Sequence, residues 1–164
     1  TDTIWGILCD ATNSAAVDKV YQLKRRPDSK AMVCMVSDLK MLKQFITNVP
    51  VDIEEHIQST RPTTVIYSSP VGIAANAIAE ENTVAIRIVK HHFCTPLIAA
   101  FGKPLISTSA NLSGLPHPLK YADISKEIIS GVDHIINLDK DKVNAQPSRI
   151  IKLERSGEIN LIRA

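Results

Sequence analysis

Apolar residues recur along the chain with two spacings, and the spacing changes repeatedly from one segment to the next. In some segments they stand three or four positions apart, as on one face of a helix. In others they form short, nearly continuous runs rich in β-branched residues, a pattern typical of strands buried on both faces. The alternation of these patterns predicts an α/β domain rather than a helical bundle or a β-sandwich.

The helical segments are bounded by capping and breaking residues. Asn13 is a suitable N-cap for the first helix, and Pro27 would stop it. Thr95 would cap a later helix that carries Pro96 in its first turn and ends at Gly102. The predicted helices are Ser14–Arg25, Leu39–Phe45, Ile53–Ser59, Thr95–Gly102 and Asp123–Ser130.

The strand segments fall into a buried group and a tail group. The buried strands are predicted at Ala31–Val36, Thr64–Tyr67, Val84–Val89 and Leu105–Thr108. The tail strands are predicted at His134–Leu138, Arg149–Leu153 and Ile159–Ile162, with a hairpin turn at Ser156-Gly157. Since no repeat, low-complexity tract or linker interrupts the pattern, we expect one domain over residues 1–164.

Composition narrows the class of protein. The formal net charge of +2 is far from that of a polyanion-coating protein, so any basic site must be local. No apolar run approaches the roughly 20 residues of a membrane-spanning helix, and we expect no membrane association. The three cysteines, Cys9, Cys34 and Cys94, form no closely spaced pair. They are expected to be buried, inert thiols in a reducing, cytoplasmic setting.

Several familiar catalytic motifs are missing from the sequence. It contains no P-loop, no dinucleotide-binding G-x-G-x-x-G, no H-E-x-x-H and no G-x-S-x-G. The pair His91-His92 follows a predicted strand and is interpreted as a solvated loop, with metal binding as the minor alternative.

Three polar features remain as candidates for a binding site. The segment Lys24–Lys30 carries four cations at the end of a helix, and it is either a solvated helix end or a phosphate-binding cluster. The run Ser107–Gly114 closes a predicted strand with hydroxyls and an amide, which suit either a ligand or the cap of a turn. Arg87 stands among β-branched residues, where it either lies at an exposed strand edge or binds an anion.

Taken together, several segments resemble the YrdC/Sua5 family: Thr1–Gly6, the turn Leu23–Pro27, Ala85–Arg87, Ser107–Gly114, Pro147-Ser148 and Ile162-Arg163. The resemblance implies a twisted mixed sheet with flanking helices and an open, concave, basic surface. It also implies L-threonylcarbamoyladenylate synthase activity, in which L-threonine, bicarbonate and ATP give threonylcarbamoyl-AMP and pyrophosphate. A separate transferase complex would use this product to make t6A at position 37 of tRNA.

The resemblance divides the implied site into a threonine end and a nucleotide end. The residues implied at threonine are Thr3, Arg87, Ser107 and Ser148, with Arg87 on the carboxylate. The residues implied at ATP are Lys24, Arg26, Ser109, Asn111 and Arg163. Of these, Lys24 and Arg26 would hold the phosphates as the catalytic cations. Mg²⁺ would arrive with ATP, with phosphate oxygens and water as its main ligands, so no protein metal ligand is expected.

Departures from the family pattern keep other functions open. The stretch Ser29–Met32 replaces a usual Pro-Leu continuation, which leaves a non-catalytic relative of the same fold as one alternative. A module that binds double-stranded RNA or tRNA without catalysis is another, although only seven aromatics and no RNA-binding motif are present. Relatives carry a strand and a proline before the position of Thr1, so we expect further sequence on that side.

Overall fold

The computed structural model describes residues 1–26, 32–51, 53–143, 146–154 and 156–164. The strands are β1 (Gly6–Asp10), β2 (Val33–Val36), β3 (Thr63–Ser68), β4 (Thr83–Ile88), β5 (Leu105–Ser109), β6 (Arg149–Leu153) and β7 (Ile159–Arg163). The helices are α1 (Ser14–Lys24), α2 (Leu39–Phe45), α3 (Ile53–Gln58), α4 (Cys94–Phe101) and α5 (Lys126–Gly131). Two short 3₁₀ turns occupy Ala75–Ala77 and Tyr121–Asp123.

The strands that the structure describes form one mixed sheet in the order β1-β5-β2-β4-β3-β6-β7. The pairs β2·β4 and β3·β6 are parallel, whereas the other four pairs are antiparallel. This arrangement confirms the predicted α/β class and the mixed sheet with flanking helices.

The two faces of the sheet differ in how completely they are covered. On one face the side chains are at most 2% exposed, and they belong to Cys34, Val36, Val65, Tyr67, Val84, Ile86, Ile106 and Ile151. On the other face Met35, Thr64, Arg87 and Leu105 are buried. Five further side chains of this face are only partly buried, and they belong to Val33, Ile66, Ala85, Ser107 and Ile150. Since directly opposite residues of paired strands point to the same side, the strand register places these five on one surface, hereafter the open face.

Most predicted helices and strands are confirmed within one or two residues. Asn13 caps α1 by accepting the Ala16 N–H at 3.2 Å, and α4 ends at Gly102, whose φ of 74° is left-handed. The first helix ends at Lys24, one residue earlier than predicted, because Arg25 adopts a left-handed φ of 49°. Pro27 and Ala31 lie outside the described residues.

Four details of the predicted elements are wrong. Strand β1 was not predicted, although its five residues pair with β5 along their whole length. The predicted strand His134–Leu138 is irregular chain, because no described strand pairs with it. The last helix begins at Lys126 rather than Asp123, since Ser125 accepts the Ile128 N–H at 3.4 Å. Thr95 lies inside α4 and donates its hydroxyl to the Val89 carbonyl at 2.8 Å instead of capping the helix.

The cysteines are unpaired, as predicted. Cys34 and Cys94 are buried, and Cys9 is half-buried. Burial raises the pKa of all three thiols, so the reactive thiolate is disfavoured. Within the described parts of the chain, none of the helices combines the length and the apolar character needed to cross a membrane.

Candidate active site

Arg87 lies on β4, between β2 and β3, and is only 4% exposed. The interpretation of Arg87 as an exposed edge residue is therefore wrong. Its Nη1 donates to Thr3 Oγ1 at 3.1 Å, and its Nη2 lies 3.2 Å from Asp2 Oδ1. Burial lowers the pKa of Arg87, and the negative charge of Asp2 opposes this effect. A buried guanidinium of this kind is a ready carboxylate-binding group.

Thr3 reaches Arg87 because the N-terminal segment crosses the sheet before β1 begins. The Thr3 side chain is buried, and its hydroxyl lies 3.0 Å from Thr1 Oγ1. The Trp5 carbonyl accepts the Ala110 N–H at 3.0 Å, which ties the segment to the end of β5. Two residues predicted at threonine, 84 positions apart in the sequence, are thus in direct contact.

Ser148 and Arg163 lie together at the β6–β7 side of the open face. The buried hydroxyls of Ser148 and Thr64 are hydrogen-bonded at 2.7 Å. Arg163 donates through Nε and Nη2 to the Ser148 carbonyl, at 3.1 and 2.7 Å. The register places Thr64, Ile150 and Arg163 side by side across β3, β6 and β7. Thr64 was not singled out from the sequence, where a threonine in a predicted buried strand was the only available signal.

Ser107 and Ser109 lie on the same face as Arg87. Ser107 is opposite Val33, which is opposite Ala85, and Ala85 stands two residues before Arg87 on β4. Thr108 alternates to the covered face. At Gly6, opposite Ser109, a Cβ would lie 3.5 Å from the Ser107 hydroxyl and 3.1 Å from the Thr108 carbonyl oxygen. A glycine at this position therefore leaves space beside Ser107.

Lys24 is 1% exposed, although it is the last residue of α1. Its ammonium group donates to the carbonyl oxygens of Ser109 and Asn111, the latter at 2.6 Å. Desolvation, together with the charge of Arg26, lowers the pKa of Lys24 to about 8. The alternative of a solvated helix end is excluded for Lys24, which fixes the end of β5 to the end of α1. A contact of Lys24 with ATP phosphates stays a prediction.

The neighbours of Lys24 form the rest of the implied nucleotide end. Arg26 is half-buried, and burial lowers its pKa. The Asn111 side-chain amide donates to the carbonyls of Leu112 and Leu115, at 2.9 and 2.7 Å, as the turn-cap interpretation predicts. Its Oδ1 is buried and has no hydrogen-bond partner among the described residues. Asp28, Ser29 and Lys30 lie outside the described residues, which leaves the departure from the family pattern there untested.

The predicted residues thus share one surface, but the two implied groups are not separated, because Arg163 contacts the Ser148 carbonyl and Ser107 lies two residues from Ser109. Ser109 is four residues along β5 from Leu105. Leu105 lies opposite Met35 on β2, and Met35 lies opposite Arg87 on β4. At about 3.4 Å per residue along a strand and about 4.8 Å between strands, Ser109 and Arg87 are roughly 17 Å apart. The partly apolar surface between them has the buried guanidinium of Arg87 on one side and the half-buried Arg26 near the other, which suits a ligand with more than one negatively charged group.

A group of metal-ligating side chains occurs elsewhere in the described chain. His91, His92 and Asp139 place their ligand atoms within 4.8 Å of one another. However, His91 Nδ1 accepts the N–H groups of Phe93 and Cys94, both at 3.3 Å. The neutral ring then carries its proton on Nε2, so His91 cannot ligate a metal without losing these hydrogen bonds.

The cavity of about 970 Å³ between β1, α1, α4 and α5 is mostly apolar. Its lining includes Leu8, Leu97, Phe101, Ile128 and Ile136, and it includes neither Arg87 nor Ser107. It also includes Gly6 and Leu8, which lie opposite Ser109 and Ser107, so the cavity borders the β5 side of the open face.

Known proteins resemble this chain in sequence over most or all of its length. Residues 1–164 match the model of the Sua5/YciO/YrdC family, which carries the description "Telomere recombination". The threonylcarbamoyl-AMP synthase of Xanthomonas euvesicatoria is 31% identical over 97% of this chain and 86% of the relative. The protein of the same name from Hahella chejuensis is 31% identical over 83% of this chain and 75% of the relative.

Solved structures share the fold at lower sequence identity. A doubly substituted P. abyssi Sua5 superposes with a TM-score of 0.88 at 22% identity, over 99% of this chain. P. abyssi Sua5 in complex with L-threonine gives 0.80 at 21%, and E. coli YciO gives 0.80 at 21%. The chain spans 50% of the first Sua5 chain and 79% of YciO. On the family match over its whole length and its identity to these relatives, the chain belongs to the Sua5/YciO/YrdC family.

Proposed function

We propose that this chain is an L-threonylcarbamoyladenylate synthase, a nucleotidyltransferase that makes threonylcarbamoyl-AMP and pyrophosphate from L-threonine, bicarbonate and ATP. The observation that carries the proposal is the buried Arg87, which contacts the Thr3 hydroxyl beside a partly exposed sheet surface. Support comes from the relatives named threonylcarbamoyl-AMP synthase and from the Sua5 structure that holds L-threonine.

The threonine end orients the amino acid. Arg87 binds the carboxylate, while the hydroxyls of Thr3, Ser107 and Ser148 line the surface around it. A fixed position for the carboxylate directs the amine toward the carbon of bicarbonate, and water is lost as the carbamate forms. Holding two reactants in this way lowers the barrier without a nucleophilic side chain.

The nucleotide end stabilises the second step. An oxygen of the carbamate attacks the α-phosphate of ATP, and pyrophosphate leaves with the electron pair of the broken P–O bond. Arg26, together with Lys24, neutralises charge that builds up on the departing pyrophosphate, while Ser109, Asn111 and Arg163 contact the nucleotide. ATP enters as its Mg²⁺ complex, which polarises the phosphates.

The proposed function also implies an enzyme that consumes the product and a cellular compartment for the reaction. Threonylcarbamoyl-AMP is a reactive mixed anhydride, so we place a transferase that consumes it, for t6A at position 37 of tRNA, downstream of this chain. Three unpaired thiols fit a reducing compartment, the cytoplasm. Direct binding of tRNA or double-stranded RNA is the competing function, and in that case nucleic acid would be the ligand of the open face.

The test is incorporation of labelled bicarbonate into an AMP conjugate that also contains threonine, followed by mass spectrometry. Wild-type protein should form this product. Arg87→Gln should lose most of the activity, whereas Arg61→Gln, at an exposed position before β3, should not. Because Arg87 is buried, Ser107→Ala serves as a milder second variant. A folded wild-type protein that forms no conjugate but binds RNA would contradict the proposal in favour of the RNA-binding module.

A further inference from the structure

We propose that the carbon of the carbamate enters the site as carbon dioxide, which the threonine amine attacks directly, and that the apolar cavity beside β1 supplies it. The inference rests on the proposed function, since it names the species of the carbon substrate. Bicarbonate remains the source of the carbon, because it forms carbon dioxide in water by taking up a proton and losing a water molecule.

The open face is apolar where the carbon must arrive. In the proposed reaction the carbamate forms between an amino acid held at Arg87 and a nucleotide held near Ser109. The described side chains of this face that lie between Ser107 and Arg87 carry no charge, and they belong to Val33, Met35, Ala85 and Leu105. An anion on such a surface loses hydration without gaining a partner, whereas a neutral molecule does not bear this cost. The surface therefore favours carbon dioxide over bicarbonate.

The two buried cations of the implied site already have other partners. Arg87 Nη1 donates to Thr3 Oγ1 at 3.1 Å, and Arg87 Nη2 lies 3.2 Å from Asp2 Oδ1. The Lys24 ammonium group donates to two backbone carbonyls. In the proposed reaction Arg87 also binds the carboxylate of threonine. Neither cation is therefore available to neutralise the charge of bicarbonate.

The cavity between β1, α1, α4 and α5 is mostly apolar and has a volume of about 970 Å³. Strand β1 contributes Gly6 and Leu8 to its lining, and these residues lie opposite Ser109 and Ser107 in the sheet. Apolar cavities in proteins admit small neutral molecules and exclude ions. The cavity can thus hold carbon dioxide next to the open face.

The attack on carbon dioxide needs no leaving group. The lone pair of the neutral amine forms the N–C bond, one electron pair of a C=O bond moves onto oxygen, and a proton of the amine passes to water. The resulting carbamate oxygen then attacks the α-phosphate. The same attack on bicarbonate would have to expel hydroxide, and the apolar side chains between Ser107 and Arg87 include no acid to protonate it.

The experiment follows pyrophosphate release during the first seconds after the wild-type protein, threonine and Mg²⁺–ATP are mixed with either carbon dioxide or bicarbonate. Total carbon and buffered pH are the same in both arms. Carbon dioxide should give an initial rate several-fold above the later, equilibrated rate, and bicarbonate should give a lag. Carbonic anhydrase, which interconverts the two species rapidly, should remove both effects. A burst with bicarbonate and a lag with carbon dioxide would overturn the inference.

A second arm excludes carbamate that forms in free solution. Threonine is incubated with carbon dioxide before the protein and Mg²⁺–ATP are added, and the initial rate is compared with that of simultaneous mixing. The two rates should be equal if the amine is attacked at the site. A higher initial rate after the incubation would show that the protein takes up a preformed carbamate, which would overturn the inference.

The contribution of the cavity is tested with a pair of alanine substitutions. Ala16→Phe narrows the cavity from α1, where Ala16 is half-buried and part of the lining. The matched control is Ala100→Phe, at an exposed position of α4 outside the lining. Ala16→Phe should raise the carbon dioxide concentration at half-maximal rate several-fold and leave that of threonine unchanged. Equal carbon dioxide dependence of the two folded variants would overturn the role of the cavity.

Mass spectrometry of the product, on the same preparations, separates this inference from the proposed function. A conjugate of threonine, carbonyl and AMP that forms with a bicarbonate burst would support the synthase and overturn the inference. A folded wild-type protein that forms no conjugate from either carbon species would contradict the synthase and the inference together.

Discussion

At the scale of single residues, burial divides the cations of the implied site into two kinds. Lys24 and Arg87 are almost fully buried, while Arg26 is half-buried. The sequence indicated that Arg87 was unusual, since it interrupts a run of β-branched residues. It did not indicate that the Lys24 ammonium group would bind two carbonyls more than 80 positions away, because that contact depends on how α1 packs against the end of β5.

Replacing Arg26 should affect turnover more than threonine affinity. Arg26→Ala removes a positive charge whose interaction strengthens as negative charge develops on the departing pyrophosphate. Pyrophosphate release should fall about tenfold or more, with the threonine affinity changed much less. The matched control is Arg25→Ala, since Arg25 is 70% exposed and pairs with Glu127 at the surface. Equal turnover of the two folded variants would contradict a role for Arg26 at the phosphates.

Replacing Lys24 should affect stability. Lys24→Met keeps the length of the side chain but leaves the carbonyls of Ser109 and Asn111 without their donor. The expected loss is about 2–4 kcal/mol of unfolding free energy, measured by urea denaturation at pH 7. Lys19→Met, at an exposed position of the same helix, should change it by about 0.5 kcal/mol or less. Equal losses would mean that the buried hydrogen bonds contribute nothing.

The pH dependence of the Lys24→Met effect has a defined sign. The pKa of Lys24 is about 8 in the folded protein, below its ordinary value of 10.5. Between these two values the unfolded chain binds more protons, so the contribution of Lys24 to stability rises with pH. The difference in unfolding free energy between wild type and Lys24→Met should therefore grow from pH 8 to pH 10. A difference that shrinks over this range would contradict the lowered pKa.

At the scale of elements, local sequence patterns predicted the helices more accurately than the edge strand β1 and the segment His134–Leu138. A helix cap depends on residues that are close in the sequence, and the predicted N-cap Asn13 is confirmed. Strand β1 was missed because five residues containing a glycine and an aspartate become a strand only beside β5. Conversely, His134–Leu138 has a strand-like composition but finds no strand to pair with among the described residues. Strand formation depends on partners that a local pattern does not identify.

Two helix caps provide a test with an internal control. Asp38 accepts the Met41 N–H at 2.7 Å at the start of α2, and this hydrogen bond is the main cause that lowers the pKa of Asp38. Asp38→Ala should cost about 1 kcal/mol at pH 7, as should Asn13→Ala. The Asp38 effect should be lost as pH falls below about 3.8 through the lowered pKa, whereas the Asn13 effect should not change. Urea denaturation across this pH range makes the comparison.

At the scale of the whole molecule, the strand order assembles the site. Residues from β4, β5, β7 and the N-terminal segment, which are far apart in the sequence, come to one face because β5 pairs between β1 and β2. Motif order along the chain was the basis on which these residues were assigned to one site. Their mutual contacts, including the pairs Thr3 with Arg87 and Ser148 with Thr64, required the register of the sheet.

The implied threonine site should discriminate between amino acids that differ by one methyl group. Serine lacks the methyl group of threonine, and one missing methyl in a shaped pocket is worth about 1–3 kcal/mol. The kcat/KM for serine in pyrophosphate release should therefore be about 10- to 200-fold lower than for threonine. Equal kcat/KM values for the two amino acids would contradict a threonine-shaped pocket on the open face.

The central claim is that the open face joins three substrates in one reaction, and the dependence of pyrophosphate release on those substrates tests it most directly. The protein is incubated with Mg²⁺–ATP, and threonine and bicarbonate are supplied together, singly or not at all, in solutions freed of dissolved carbon dioxide. Pyrophosphate release should require both co-substrates. Release at the same rate with either one omitted would identify a plain ATP-cleaving activity and contradict the synthase.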